Sequence, residues 1–374
     1  MRYRLRIPAR INILGNPADA NEGAFSTISA AIDTYAGAVI EPADGIVLEA
    51  TTPDGVVLTS ESFASSPPYP YDGNLDLLKG ALNRLYGQSS QFRERLDERG
   101  GVRIATWTQV PRQSGLGGSS VLVLLALAGL RAYYDLDRCV LNDYMLSEIC
   151  QRVEAKDLGI TCGYSDRYVP LFGGLAYLDY RGKLLHKPID EEPYVTYERL
   201  DRWVTDLPLV IAFTGVRRDS GDVHSVTRGR YLQEYADYQC GNSKSFMLRV
   251  MEQVGETAWR GKIALLRGDL VEFGRLMVEN HRLVDDMMSC CGLPGGAGVA
   301  NNVLVEAARS SGALAAKLTG AGGGGSVFAL AQPGHEDELV QAMRQAAMDA
   351  QLGEAKVWRA RIDTAGLRLE RIED

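Results

Sequence analysis

The chain has few of the residues that build a zinc site. It contains six cysteines in 374 residues, none of them in a C-x-x-C pair, and only four histidines. Zinc in proteins is bound by closely spaced Cys and His ligands, so no such site is expected. Scattered cysteines in a chain of this size predict reduced thiols in a cytoplasmic protein.

Long apolar runs and clusters of positive charge are also missing. The most apolar stretch, residues 121–130, is too short for a transmembrane helix, which needs about 20 residues. Residues 1–7 alternate charged and bulky side chains, which predicts a strand rather than a signal peptide. The net charge is −8, with no Lys/Arg cluster typical of nucleic-acid binding. We therefore expect neither a membrane nor a nucleic-acid partner, and a monomer or homodimer.

A glycine- and serine-rich segment, residues 111–120 (PRQSGLGGSS), leads directly into the apolar stretch. The first turn of a helix has unpaired N–H groups and the positive end of the dipole, and glycines let a phosphate approach closely. A tight turn capping a buried helix is the alternative. The segment lacks the lysine of a P-loop, and its glycine spacing excludes a dinucleotide fingerprint and thus a nicotinamide dehydrogenase. The predicted nucleotide-binding residues are Pro111, Ser114, Gly115, Leu116, Gly117, Gly118, Ser119 and Ser120.

The remaining pattern mixes strands and helices. Strands are predicted at residues 3–13, 27–32, 35–40, 46–51, 101–108, 173–180, 184–187, 207–213, 314–319, 326–331 and 356–362. Helices are predicted at residues 74–86, 119–134, 142–156 and 341–354, and in most of 222–314. A charged stretch near Arg202 precedes an apolar strand, so we predict two domains, residues 1–203 and 204–374.

Three further segments complement the serine-rich loop: residues 8–19 (PARINILGNPAD), 163–174 (GYSDRYVPLFGG) and 317–326 (KLTGAGGGGS). With them the chain resembles the GHMP kinases, whose three ordered motifs match residues 8–15, 111–120 and 317–325. Within that family it is most similar to glucuronokinases, on residues 14–19, 111–116, 154–160 and 219–225. Residues 27–35 and 213–218 are similar to those of D-glycero-D-manno-heptose 7-phosphate kinases.

The resemblance implies an α+β fold with two lobes, an S5-like N-terminal domain and a ferredoxin-like C-terminal domain. It also implies an ATP- and Mg²⁺-dependent phosphotransferase acting on an alcohol group. The expected acceptor is the anomeric hydroxyl of a sugar or sugar acid, with glucuronate favoured. A heptose 7-phosphate 1-kinase and a non-catalytic sensor of ATP and sugar are the alternatives. Retention of Ser119, Glu154 and Asp166 argues against the sensor.

The resemblance also implies roles for individual residues. Ser119 matches the serine that contacts magnesium, with Ser120 next in rank, and Glu154 matches the acidic magnesium ligand. Asp166, in a predicted turn, matches the catalytic base, and Arg10 matches the basic residue that stabilises it and offsets phosphate charge. The alternative is an exposed position on a helix for Glu154 and on the surface of a strand for Arg10.

Polar residues after the first predicted strand are candidates for the sugar pocket. Asn16, Asp19 and Glu22 have the short polar or acidic side chains that recognise hydroxyls, although turn formation explains them too. Arg167 replaces a glutamine common in heptose and galactose kinases, which leaves the sugar's identity open.

A basic cluster and a glycine-rich loop complete the candidate site. Arg217, Arg218, His224 and Arg228 are suited to a uronate carboxylate or a sugar phosphate, or form a solvated face. Gly322 and Gly323 lie in a loop flexible enough to close over phosphates or substrate, although a hairpin turn is the alternative. Lys317 is predicted to be structural.

Overall fold

The computed structural model describes residues 1–21, 25–183, 194–204, 206–217, 220–293 and 295–373, with only the backbone at 220–222 and 224. The strands are β1 (Arg2–Leu14), β2 (Ser26–Ala43), β3 (Ile46–Thr51), β4 (Val57–Phe63), β5 (Gly101–Thr108), β6 (Leu175–Asp179), β7 (Thr196–Arg199), β8 (Leu209–Phe213), β9 (Ala315–Thr319), β10 (Ser326–Leu330), β11 (Lys356–Ala360) and β12 (Arg368–Ile372). The helices are α1 (Asp76–Gln88), α2 (Ser90–Arg99), α3 (Gly118–Tyr133), α4 (Asp143–Arg152), α5 (Ser165–Phe172), α6 (Ser220–Gln239), α7 (Phe246–Leu266), α8 (Leu270–Cys290), α9 (Val299–Ser310) and α10 (Glu336–Asp349).

The first lobe is built on an eight-stranded sheet. Its main path is β12-β1-β2-β5-β3-β4, and β6 joins β2 to β7. All pairs are antiparallel except β3 with β5. The first half of β1 alternates exposed and buried residues, whereas residues 8–14 are buried on both faces. Helices cover both sides of the second half of β1, so this segment lies between the two lobes.

Helix α3 is the central helix of the first lobe. It packs against α1, α4, α5 and the β1–β2 pair, and 12 of its 16 residues are buried. A helix that is apolar on all sides is stable only when it is surrounded by protein. This explains the uninterrupted apolar run at 121–130, whereas the first two residues of α3, Gly118 and Ser119, are only half-buried.

The second lobe contains a four-stranded antiparallel sheet in the order β11-β8-β10-β9. The order in the chain is strand, helices, two strands, helix and strand, which is the ferredoxin-like arrangement. Four helices, α6 to α9, connect β8 to β9. The predicted α+β class with two lobes is therefore confirmed. Among the described helices, none combines the length and the apolar character needed to cross a bilayer.

Several local predictions were wrong. Residues 165–167, predicted as a turn, are the first turn of helix α5, because burial of Tyr168 and Val169 favours a helix despite Pro170. Residues 27–40, predicted as two strands, form one long strand, β2. Helix α10 begins at Glu336 and ends at Asp349, five residues before the predicted boundaries. The strand predicted at 184–187 lies outside the described residues.

The last strand of the chain returns to the first lobe. Strand β12 pairs antiparallel with β1, from Arg2 opposite Ile372 to Arg6 opposite Arg368. Asp363, just before it, accepts hydrogen bonds from Tyr35 Oη and Arg368 Nη2, both at 2.8 Å. The division into residues 1–203 and 204–374 stays a prediction. It assigns β12 to the second domain, although β12 pairs with β1 in the first lobe.

Candidate active site

The three predicted motifs meet between the two lobes. The Arg10 N–H on β1 donates to Leu116 O in the serine-rich loop (3.2 Å), and the Asn12 N–H donates to Thr319 Oγ1 at the end of β9 (3.0 Å). Gly320 packs directly on Gly115, because a Cβ added at Gly320 would lie 2.8 Å from the Gly115 Cα. The β9–β10 loop and the serine-rich loop therefore support each other through their backbones.

The start of α3 has the geometry of an anion site. Gly117, the N-cap, has a φ of +82°, and no side chain caps the first turn. The backbone N–H groups that a cap would satisfy are thus open to phosphate oxygens, and the helix dipole favours negative charge there. The Ser114 hydroxyl, in the same loop, is buried without a hydrogen-bond partner among the described residues.

A buried ion pair links this loop to α5. Asp166 Oδ1 lies 2.7 Å from Arg10 Nη2 and 2.9 Å from Arg10 Nε. Arg10 Nη1 also donates to Gly115 O at 2.5 Å, and both charged residues are less than a tenth exposed. One arginine therefore holds the Asp166 carboxylate in a fixed place beside the predicted phosphate loop.

Ser165 connects Asp166 to the loop after β1. Its hydroxyl lies 2.6 Å from Asp19 Oδ2 and 2.9 Å from Asn12 Oδ1, and its N–H donates to Asp19 Oδ2 at 3.2 Å. Burial and the nearby negative charge of Asp166 raise the pKa of Asp19. Asp19 Oδ1 is buried without a described partner, so this oxygen remains available to a donor. Ser165 was not among the residues predicted for the site.

Glu154 lies directly beside the start of α3. Its Oε1 accepts from Ser119 Oγ (2.6 Å), and its Oε2 accepts from Ser120 Oγ (2.7 Å). Glu154 is fully buried, in a π-helical turn at Val153–Asp157, rather than on an exposed helix face. Such turns are frequent at functional sites because they redirect a side chain.

These oxygens fit a magnesium ion only in part. Mg²⁺ prefers oxygen ligands and usually combines one or two carboxylates with substrate phosphates and water. Ser119 Oγ and Glu154 Oε1 supply one hydroxyl and one carboxylate oxygen. In the part of the chain that the structure describes, no cluster of three His, Cys, Asp or Glu side chains is able to hold a metal alone. A metal here would therefore need nucleotide oxygens as well.

Arg167 is placed differently from the sequence expectation. Its side chain is fully buried and contacts Glu154 Oε2, Gly163 O and Cys162 Sγ, with Nε 3.3 Å from the carboxylate oxygen. These contacts are with the predicted metal ligand and not with the predicted sugar-binding residues. The sugar's identity therefore stays open.

The loop after β1 faces the second lobe. Asn16 and Asn280 are both buried, and Asn280 Nδ2 donates to Asn16 O at 3.3 Å. The Oδ1 atoms of both asparagines lack described partners. Arg228 Nε, on α6, donates to Ala20 O at 2.8 Å, which brings one member of the basic cluster to this loop.

The described contacts of the other predicted substrate residues do not place them beside the Arg10–Asp166 pair. Arg217 is exposed and pairs with Glu354 at 3.0 Å. The Gly323 N–H donates to Ala297 O at 2.7 Å, and Gly322 packs on Met288. These two glycines therefore contact other residues of their own lobe. Glu22, Arg218 and the His224 side chain lie outside the described part, and all substrate roles stay predictions.

Lys317 is buried at the lobe contact with no described carboxylate beside it. Its Nζ donates to Leu318 O (2.8 Å) and lies 3.4 Å from Asn12 O. Burial lowers the pKa of Lys317 to about 7. Burial also lowers the pKa of His281, which accepts from the Leu318 N–H, to about 4.

The lysine makes stability depend on pH in a defined direction. Above about pH 7 the folded protein releases the Lys317 proton, whereas the unfolded chain keeps it until about pH 10.4, so the free energy of unfolding rises with pH between these values. We expect Lys317→Met to stabilise the protein at neutral pH and to remove this rise, which has a limiting slope of about 1.4 kcal/mol per pH unit. Urea denaturation of both proteins across this range measures it. A wild-type-to-variant difference that does not change with pH would contradict the lowered pKa of the buried lysine.

Comparisons with known proteins agree with this geometry. Two family models match the chain: GHMP kinases N terminal domain at residues 76–174 and GHMP kinases C terminal at residues 262–350. Probable glucuronokinase 2 of Arabidopsis thaliana is 31% identical over 330 residues, which cover 86% of this chain and 82% of that protein. The chain belongs to the GHMP kinase family. It is therefore a kinase that transfers a phosphoryl group to an alcohol.

Two further relatives widen the comparison of this GHMP kinase. D-glycero-alpha-D-manno-heptose 7-phosphate kinase of Campylobacter jejuni is 24% identical over 358 residues, covering 91% of this chain and 93% of that protein. The crystal structure of Lactococcus lactis galactokinase complexed with galactose superposes with a TM-score of 0.75 at 18% identity, covering 98% of this chain and 95% of that one. The last comparison shows the shared fold.

Proposed function

We propose that this GHMP kinase transfers the γ-phosphoryl group of ATP to the C1 hydroxyl of a sugar, with D-glucuronate as the favoured acceptor. The observation that carries the proposal is the buried Arg10–Asp166 pair bonded to the phosphate loop through Gly115 O. It places a carboxylate that can accept a proton next to a helix start that can bind phosphates.

Phosphoryl transfer requires positioning and charge neutralisation more than covalent chemistry. In the proposed mechanism the N–H groups at the start of α3 hold the ATP phosphates, and the Arg10 guanidinium offsets charge near the transferred group. Asp166 accepts the proton of the attacking hydroxyl. Ser119 Oγ and Glu154 Oε1 would hold Mg²⁺, which neutralises phosphate charge when bound. Asn16 and Asp19 offer acceptor oxygens to the other sugar hydroxyls.

The choice of glucuronate is supported by the similarity to glucuronokinases and by the position of Arg228 beside the loop after β1. The Arg228 guanidinium would pair with the carboxylate of the sugar acid, whereas Asp19 Oδ1 would accept a hydrogen bond from one of its hydroxyls. A heptose 7-phosphate 1-kinase is the second candidate, because a relative of that name aligns with 91% of this chain.

A substrate screen tests the proposal. We expect ATP consumption with D-glucuronate to exceed that with neutral hexoses and with heptose 7-phosphate, and ³¹P NMR of the product to show an anomeric phosphate. Methyl glucuronide, whose C1 oxygen is blocked, should give no turnover. Turnover of methyl glucuronide would disprove attack by the C1 hydroxyl, and preference for heptose 7-phosphate would support the second candidate.

A further inference from the structure

The two oxygens of Glu154 have different surroundings. Oε1 accepts from Ser119 Oγ, at the side of the predicted metal. Oε2 accepts from Ser120 Oγ, lies 3.3 Å from Arg167 Nε and 3.6 Å from Cys150 Sγ. The carboxylate therefore presents one oxygen to the α3 start and has the other surrounded by protein.

This asymmetry affects which metal the site selects. Mg²⁺ requires near-octahedral geometry with short bonds, whereas the larger Ca²⁺ takes six to eight oxygens and accepts bidentate carboxylates. A carboxylate limited to one oxygen suits the first ion, and a carboxylate free to offer both oxygens suits the second. The groups that bind Oε2 therefore affect whether the site prefers Mg²⁺ or Ca²⁺.

We propose that Arg167 is a positioning residue that sets metal specificity: by occupying Glu154 Oε2 it makes Glu154 a one-oxygen ligand and favours Mg²⁺ over Ca²⁺ in the nucleotide complex. The inference rests on the proposed function, in which Glu154 binds the metal. Ser120 Oγ adds to the effect as a neutral donor at 2.7 Å, whereas the guanidinium also brings a positive charge to this oxygen.

The arginine is held so that it cannot move aside for a metal. Its guanidinium also contacts Gly163 O and Cys162 Sγ, and it lies 5.9 Å from the Tyr164 ring. The residue is completely buried. These partners precede α5 directly, so the helix that carries Asp166 also fixes the position of Arg167. The planar guanidinium of Arg167 has several N–H donors that bind these partners at once. A lysine ammonium lacks this geometry.

Metal binding, rather than activity, tests the proposal. The affinity of ADP is measured by calorimetry with Mg²⁺ and with Ca²⁺ for wild type, Arg167→Met and Arg167→Lys. We expect wild type to prefer Mg²⁺ and both variants to reduce the Mg²⁺/Ca²⁺ affinity ratio by roughly 10-fold, mainly through tighter Ca²⁺ binding. Unchanged ratios, or equal losses for both ions, would overturn the proposal, since equal losses indicate a structural role alone.

The matched control is a substitution of Arg84 on α1, which contacts the other end of the π-helical turn that carries Glu154. Arg84 pairs with Asp157, the last residue of the π-helical turn, without contacting Glu154 in the described structure. Arg84→Met should keep the wild-type ratio. If the Arg167 variants do not fold, Cys162→Ala, which removes one anchor of the guanidinium and keeps its charge, should lower the ratio in the same direction. An unchanged ratio in Cys162→Ala would then overturn the proposal.

Glu154→Gln separates failure of the inference from failure of the proposed function. If this variant loses the metal dependence of ADP binding while the Arg167 variants keep the wild-type ratio, the inference alone fails. If Glu154→Gln binds metal and ADP as wild type does, Glu154 is not a metal ligand, and both the inference and that part of the proposed function are wrong.

Discussion

Replacing Asp166 with asparagine is expected to lower kcat by about 10²–10⁴-fold, the range typical of losing a general base. Asparagine keeps the size of the side chain and an oxygen that accepts from Arg10, so the ion pair becomes a hydrogen bond and the fold is preserved. The affinity for ATP should change little, because Asp166 contacts the loop only through Arg10. Steady-state kinetics with the preferred sugar measures the effect.

Asp201→Asn is the control for this prediction. Asp201 forms a comparable Arg–Asp pair, with Arg199, and its described contacts lie outside the candidate site. Its substitution should leave kcat within about twofold of wild type, since surface and partly exposed ion pairs contribute little. An Asp166→Asn enzyme that works at the wild-type rate would show that this carboxylate positions the hydroxyl at most.

Replacing Gly320 with alanine is expected to raise the KM for ATP by at least ~10-fold through displacement of the phosphate loop. The new Cβ would lie 2.8 Å from the Gly115 Cα and 2.9 Å from the Gly115 O, too close for either backbone to stay in place. Gly115 O also accepts from Arg10, so the shift would reach the Asp166 pair as well. Kinetics at varied ATP concentration measures the change.

The backbone strain of this substitution has a matched control. Gly320 has a φ of +78° and Gly100 a φ of +77°, but nothing lies within 4 Å of a Cβ at Gly100. Both alanine variants should therefore lose about 1–3 kcal/mol of stability, because an alanine rarely adopts a backbone conformation with a positive φ. Only Gly320→Ala should change the KM for ATP. If Gly100→Ala changes it equally, the effect comes from general destabilisation and not from the contact between the loops.

The sequence predicted the parts of the site that depend on local chemistry. The sequence predicts a helix start at residue 119, one residue after the observed start at Gly118, because serines follow the glycines and the apolar run requires burial. The predicted strand at residues 3–13 lies within β1, and the structure brings Arg10 on that strand to Asp166. Each of these features depends on a short stretch of consecutive residues.

Features that depend on distant contacts were not predictable. Helix α5 contains a proline and ends at a glycine, so its residues locally favour a turn, and only burial between α4 and β1 makes them helical. Strand β12 lies against β1 at the opposite end of the chain. The contact of Arg167 with Glu154 joins α5 to a π-helical turn. The periodicity of apolar residues in a sequence does not reveal such a turn.

The central claim is that the first turn of α3 binds the phosphates of ATP beside the Arg10–Asp166 pair. Calorimetric titration of the wild-type protein with a non-hydrolysable ATP analogue and Mg²⁺ tests it most directly. The account predicts one binding event per chain, with an affinity within the roughly micromolar to millimolar range usual for enzyme substrates, and weaker binding to Gly320→Ala. Absence of binding to the folded wild-type protein would contradict it.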